Sequence, residues 1–103
     1  MTRDEQAVEE RARQALAWLR AVMRAPGTTR AHMKVAELLA WDGSTVASLA
    51  ELAATAGVSR AGVRRAIAWL ERGGLITVRR TKGKDGASLP NEYTPVAAKR
   101  VAE

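Results

Sequence analysis

Apolar residues recur at helical spacing in four stretches of this chain, and then, towards its end, at a spacing of two. From Arg3 to Arg24 they fall at Val8, Ala12, Ala15, Leu16, Leu19, Val22 and Met23, one stripe of a long helix whose other side carries Glu9, Arg13 and Arg20. Thr2-Arg3-Asp4-Glu5 has the form of a capping box at its start, and Pro26-Gly27 is the first break. Thr28 or Thr29 then caps a second helix that runs to about Trp41, where Asp42-Gly43 stops it. That helix is apolar on two sides, with Ala31, Val35, Leu38 and Leu39 on one and Met33, Ala36 and Ala40 on the other. It should therefore lie between two partners. The first helix can cover its stripe by folding back on one of those sides or by pairing with the same helix of a second copy.

The stretch SLAELAATAGVSRAGVRRAIAWLERGGLI, Ser48 to Ile76, predicts two more helices on either side of one glycine. Ser48 and Glu51 form a capping box, each side chain satisfying a backbone N–H that the first turn would leave orphaned. Leu49, Leu52, Ala53 and Ala56 share a face, Gly57 ends the helix in a conformation that a Cβ resists, and Val58 drops into the core. Ser59 caps the next helix, in which Val63, Ala66, Ile67 and Leu70 sit at i, i+3, i+4 and i+7 as one buried stripe. Its other face carries Ala61, Arg64, Arg65, Ala68 and Arg72. From Leu75 the period becomes two, Ile76 and Val78 alternating with Thr77 and Arg79 as in a strand. A basic, glycine-bearing loop from Arg80 to Gly86 leads to a second strand. There Tyr93 is expected to be buried against Ile76 or Val78, and Pro95 to confine the strand to an edge.

The spacing Ala53, Gly57, Val63 resembles the helix-turn-helix signature: a small residue where two helices cross, a turn glycine and a β-branched residue in the second helix. Arg72-Gly73-Gly74-Leu75-Ile76, the strand, the basic loop and the strand at Asn91-Glu92-Tyr93 resemble the winged subclass. Over residues 30–96 the chain is similar to the DNA-binding domains of GntR-like regulators and of plasmid or phage replication initiators. The resemblance implies a mainly α fold with a small β-wing: a three-helix core, a two- to three-stranded antiparallel sheet in which Ser44-Thr45-Val46 gives an edge strand, and here an extra N-terminal helix. Residues 3–25 would then be a scaffold or dimerisation helix, 28–96 the winged helix-turn-helix and 97–103 a tail, all in one domain.

Composition narrows this further. A chain of 103 residues that is 47% hydrophobic supports one modest core, and with 4% aromatic residues and no Phe that core is packed by Ala, Leu and Val. The absence of cysteine removes disulfides, thiolate nucleophiles and cysteine-ligated zinc. No apolar run reaches the roughly 20 residues of a membrane span, and the N-terminus lacks a signal-peptide core. The expected location is the cytoplasm, on the nucleoid. Net charge is +6, and it is unevenly placed. Residues 1–42 hold seven basic and six acidic side chains, whereas residues 57–100 hold ten basic against three acidic. A footprint for phosphates clusters in this way on the docking elements.

The candidate chemistry is recognition, not catalysis. His32, the only histidine, has no carboxylate at a useful spacing, and Glu37, Glu51 and Glu71 read as a solvated residue, a cap and a helix charge. No enzyme, cofactor, metal or small-molecule ligand is expected. Trp18, Trp41 and Trp69 flank apolar stripes, which suits packing better than base stacking. On the recognition helix, residues 59–72, Arg60, Arg64 and Arg65 are the candidates for base edges in a major groove about 12 Å wide, with Arg65 projecting most directly. Ala61 suits a thymine methyl, Ser59 and the N–H groups of the helix start suit a phosphate, and Gly62 leaves room for close approach. On the wing, residues 79–90, Arg79, Arg80, Lys82 and Lys84 suit the backbone or the minor groove. The partner expected is double-stranded DNA, bound by a homodimer through operator occupancy. A role in plasmid or phage replication or partition would use the same surface, and a winged protein-interaction module would show an acidic or apolar face instead.

Overall fold

A computed structural model describes residues 2–81 and 90–96. Seven elements follow in chain order: α1 Arg3–Arg24, α2 Arg30–Leu39, β1 Thr45–Ala47, α3 Leu49–Ala56, α4 Arg60–Arg72, β2 Ile76–Arg79 and β3 Asn91–Pro95. Side chains set the start of every helix. Thr2 Oγ1 accepts from Glu5 N–H, Ser48 Oγ from Glu51 N–H and Ser59 Oγ from Gly62 N–H. At Ser48 the box is reciprocal, Glu51 accepting from Ser48 N–H. Thr29 is the cap of α2, and its reciprocal partner is His32, whose Nδ1 accepts from Thr29 N–H at 3.3 Å. Thr28 instead donates to Val22 and Ala25 carbonyls, closing the end of α1.

Gly57 turns the chain from α3 to α4 with φ +67°, its N–H donating to Ala53 O. α2 ends at Leu39 with Ala40 as its C-cap, short of Trp41, which is 44% exposed and packs in no core. The faces of α2 are used as expected. Val35, Ala36 and Leu39 are fully buried, with α1 on one side and α3 and α4 on the other. Val63, Ala66, Ile67 and Leu70 of α4 and Leu52 of α3 complete the helical core, and Ile76 and Tyr93 close it from the sheet.

α1 folds back on its own domain, but along a seam narrower than its apolar stripe. Ala15, Trp18 and Val22 are buried in the common core, while Val8, Leu16 and Met23 stay outside. Trp18 therefore fills the seam it was expected only to flank. Its indole N–H donates to Leu75 O at 2.8 Å, which lets so large an amphipathic residue be buried without stranding a polar atom.

The sheet is antiparallel with order β1-β3-β2, pairing Thr45 with Tyr93 on one side and Val78 with Tyr93 on the other. β3 is thus the central strand, against the expectation that Pro95 keeps it at an edge. Proline is tolerated because it is the last residue of the strand, beyond the Thr45–Tyr93 pair that ends the β1 ladder. Val96 N–H makes the next bond to β2's side, to Leu75 O at 2.9 Å.

Candidate nucleic-acid interface

Burying Gly62, Val63, Ala66, Ile67 and Leu70 fixes what α4 shows to solvent. At about 100° per residue, Ala61 and Ala68 stand near the outward pole with Arg72, and Arg64 and Arg65 flank it on opposite sides. Arg60, Ala61, Arg64, Arg65 and Arg72 are all exposed. Among the described residues none of these arginines makes an ion pair. Arg64 leans to the sheet, where it lines a groove of about 310 Å³ with Leu49, Ala68, Val78, Arg80 and Asn91. Arg65 lies on the other flank, towards Trp69. Arg65, expected to project most directly, thus stands with Arg64 as a pair astride an alanine ridge.

The N-terminus of α4 is exposed at Ser59, whose Oγ already accepts from Gly62 N–H at 3.0 Å. Among the described residues its hydroxyl proton and the first-turn N–H groups of Arg60 and Ala61 have no acceptor, and all three residues are exposed, an arrangement that favours an anion. Gly62 serves a different purpose from the one its place in the sequence suggests. It is buried, and an ideal Cβ there would stand 2.6 Å from Val58 Cγ1 and 3.1 Å from Ser59 Oγ. The close approach is internal.

On the wing, the period of two separates Arg79 from Arg80. Arg79 stands across from Glu92 on the outward face of the sheet, beside Val46. Arg80 shares the side of Ile76 and Val78 and reaches α4, where its guanidinium donates to both oxygens of Glu71 at 2.8 and 3.1 Å. These hydrogen bonds hold the Glu71 carboxyl below the usual carboxylate range and raise the Arg80 guanidinium. Sequence reasoning missed this bridge, because the two residues are neither at helical spacing nor on one strand. It also missed Asn91. Asn91 Oδ1 accepts from Thr81 N–H at 3.1 Å and its Nδ2 donates to Tyr93 OH at 3.3 Å, while Thr81 Oγ1 donates to Pro90 O at 2.8 Å. The base of the wing loop is thereby tied to the buried tyrosine. Lys82 and Lys84 lie outside the described residues, as does the tail from residue 97.

His32 has a packing role. Its ring stacks on Trp69 with centroids 4.4 Å apart, and Trp69 Nε1 donates to Pro26 O at 3.2 Å. Among the described residues no three His, Asp or Glu side chains come together as a metal site, and no helix is long and apolar enough to cross a membrane.

A three-helix core with a turn glycine between α3 and α4, and a three-stranded antiparallel sheet whose hairpin follows α4, is a winged helix-turn-helix. Residues 42–84 match the family model described as bacterial regulatory proteins, gntR family. The matched segment spans β1, α3, α4 and β2 and leaves out α1 and α2. No curated protein and no solved structure matches the chain. The match and the fold together support sequence-specific DNA binding by a transcription regulator.

Proposed function

We propose that the protein is a small transcriptional regulator that binds double-stranded DNA sequence-specifically and acts by occupying an operator. The observation that carries this reading is the outward face of α4, where Arg60, Arg64, Arg65 and Arg72 are exposed and without acidic partners among the described residues. Arg64 and Arg65, astride Ala61 and Ala68, would straddle base edges in the major groove, and the arginine fork suits O6 and N7 of guanine. Ser59 and the N–H groups beside it would take a phosphate and set the register. The wing, with Arg79, Lys82 and Lys84, would follow the flanking backbone or minor groove, and Arg80 would contribute from its bridge to Glu71. The protein would act as a homodimer, so that two recognition helices meet an inverted repeat with half-site centres about 34 Å apart.

Selection of bound fragments from random and genomic duplexes tests this. The expected result is enrichment of one inverted repeat. Arg65→Ala should then lose roughly 1–3 kcal/mol on the selected site and relax one base position, with little change on random duplex. Enrichment of iterated direct repeats would transfer the same surface to a replication or partition role. No enrichment at all would overturn sequence-specific binding and leave a protein-interaction module.

A further inference from the structure

α1 carries an apolar line that its own domain leaves open. Val8, Leu16 and Met23 are 65%, 48% and 60% exposed, and Ala12 and Leu19 are only partly covered. Single exposed apolar side chains are ordinary, but these five fall within a sector of about 80° on one helix. The line runs beside the Ala15, Trp18 and Val22 seam that packs on α2, so covering it requires no rearrangement of the core. Its spacing is nearly the same in both directions: reversed about a point next to Leu16, Val8 falls on Met23 and Ala12 on Leu19.

We propose that this line seats a second copy of the chain, with the two α1 helices antiparallel about a two-fold axis beside Leu16, Val8 against the partner's Met23 and Ala12 against the partner's Leu19. The inference rests on the homodimeric reading of the protein and gives that dimer its surface and direction. Charge selects the direction. Asp4, Glu5, Glu9 and Glu10 lie in the first part of α1, while Arg20 and Arg24 are the only charges of its last three turns. A parallel pair would set acid on acid at one end and arginine on arginine at the other. The antiparallel pair brings Glu9 near the partner's Arg20, sets the acidic start against the partner's basic end and opposes the helix dipoles. The basic residues near the start do not undo this: Arg3 lies about 180° round the helix from the line. Arg13 is held within its own helix by Glu9 and Glu10, at 3.7 and 3.0 Å, and Arg11 lies towards its own domain, beside Ala15, Trp18 and Ala40. The line is only about 22 Å long, so the pairing is concentration-dependent and is reinforced when both copies hold adjacent half-sites.

The chain has no cysteine, which allows single-cysteine variants to be read without background. Val8→Cys, Leu16→Cys and Met23→Cys are oxidised mildly at micromolar concentration, each alone and as an equilibrated mixture of the first and third. Leu16→Cys should cross-link with itself. Val8→Cys and Met23→Cys should not, because each lies about 22 Å along the axis from its own copy, but their mixture should give the mixed dimer. Self-linking of Val8→Cys and of Met23→Cys would overturn the antiparallel direction, and no linking in any sample would overturn the surface. Leu16→Glu with Met23→Glu alters exposed positions only and should leave the helical circular dichroism intact. It should weaken self-association in sedimentation by about tenfold or more. An unchanged dimer mass in that variant would overturn the proposal. Binding to a single half-site is measured on the same samples. Loss of cross-linking with half-site binding retained defeats the dimer surface alone, whereas cross-linking without any DNA binding defeats the regulator reading alone.

Discussion

At Gly62 two effects of a single methyl group oppose each other. Alanine is favoured over glycine inside a helix by about 0.8–1.0 kcal/mol, but the added Cβ would stand 2.6 Å from Val58 Cγ1. Val58 is β-branched with a stiff χ1 and already packs on the core, so it cannot turn away at little cost, and overpacking of this kind costs about 1–3 kcal/mol. Gly62→Ala should therefore destabilise the fold by about 1 kcal/mol in urea unfolding, and a stabilised variant would remove the steric account. The sequence invites a reading of Gly62 as room for DNA because the contact with Val58 is tertiary and leaves no local trace. His32 shows a similar limit. A capping role for an imidazole, in the place that Glu or Gln usually takes, emerges only with Thr29 N–H aimed at its Nδ1. Desolvation lowers its pKa below 6.5, with a hydrogen bond to the Gly27 backbone opposing. The folded state thus favours the neutral ring, and the unfolded chain takes up the proton first as pH falls below 6.5, so stability is lost on acidification through that window. The thermal midpoint of the wild type should fall between pH 7 and 5.5. In His32→Gln, which keeps a capping acceptor without titrating, the fall should be flatter, and equal slopes would exclude His32 as its source.

Elements were more legible than their partners. The caps at Thr2, Ser48 and Ser59, the turn at Gly57 and the α4 stripe are all local patterns, and the structure reproduces them at those residues. Strand order is not local. Placing β3 between β1 and β2 depends on pairings across 48 and 15 residues at Thr45–Tyr93 and Val78–Tyr93, which the sequence near Pro95 cannot report. The Glu71–Arg80 bridge belongs to the same scale, because it ties the last turn of α4 to the end of β2. Both side chains are partly exposed, so the pair adds no more than about 1 kcal/mol to stability, and its effect is to aim and partly neutralise Arg80. Glu71→Gln removes the charge that competes with phosphate for this guanidinium. Unfolding should change by less than about 0.5 kcal/mol, while random duplex binds more tightly and the slope of log K against log salt steepens by up to about 0.9. Weaker binding on random duplex would mean that the bridge aims Arg80 at a phosphate and that this aim outweighs the charge.

For the molecule as a whole, the uneven charge of the chain divides between its elements. α1 and α2 are close to neutral, whereas α4 and β2 with Arg80 carry Arg60, Arg64, Arg65, Arg72, Arg79 and Arg80 against Glu71. Two partners for α1 were compatible with its sequence because its stripe is wider than one seam. Folding back uses Ala15, Trp18 and Val22, and the rest of the stripe remains available. The distribution of charge separates two accounts of DNA binding that net charge cannot. If a general positive field attracts DNA, any two exposed basic residues are equivalent. If α4 and the wing dock on the duplex, only those within reach of phosphates release counterions on binding, and each contributes about 0.9 to the salt slope. Arg3→Ala with Arg11→Ala, in the first half of α1, and Lys82→Ala with Lys84→Ala, between β2 and β3 in the chain, lower the net charge equally. The wing pair should weaken cognate and random DNA alike and reduce the slope by about 1.8, whereas the α1 pair should leave the slope within about 0.3 of the wild type. Titrating both variants and the wild type against one selected site and one random duplex over a salt series distinguishes the accounts. Equal reductions for the two pairs would place binding in the bulk field and remove the wing as a clamp. A reduction confined to the α1 pair would move the DNA to the opposite side of the protein.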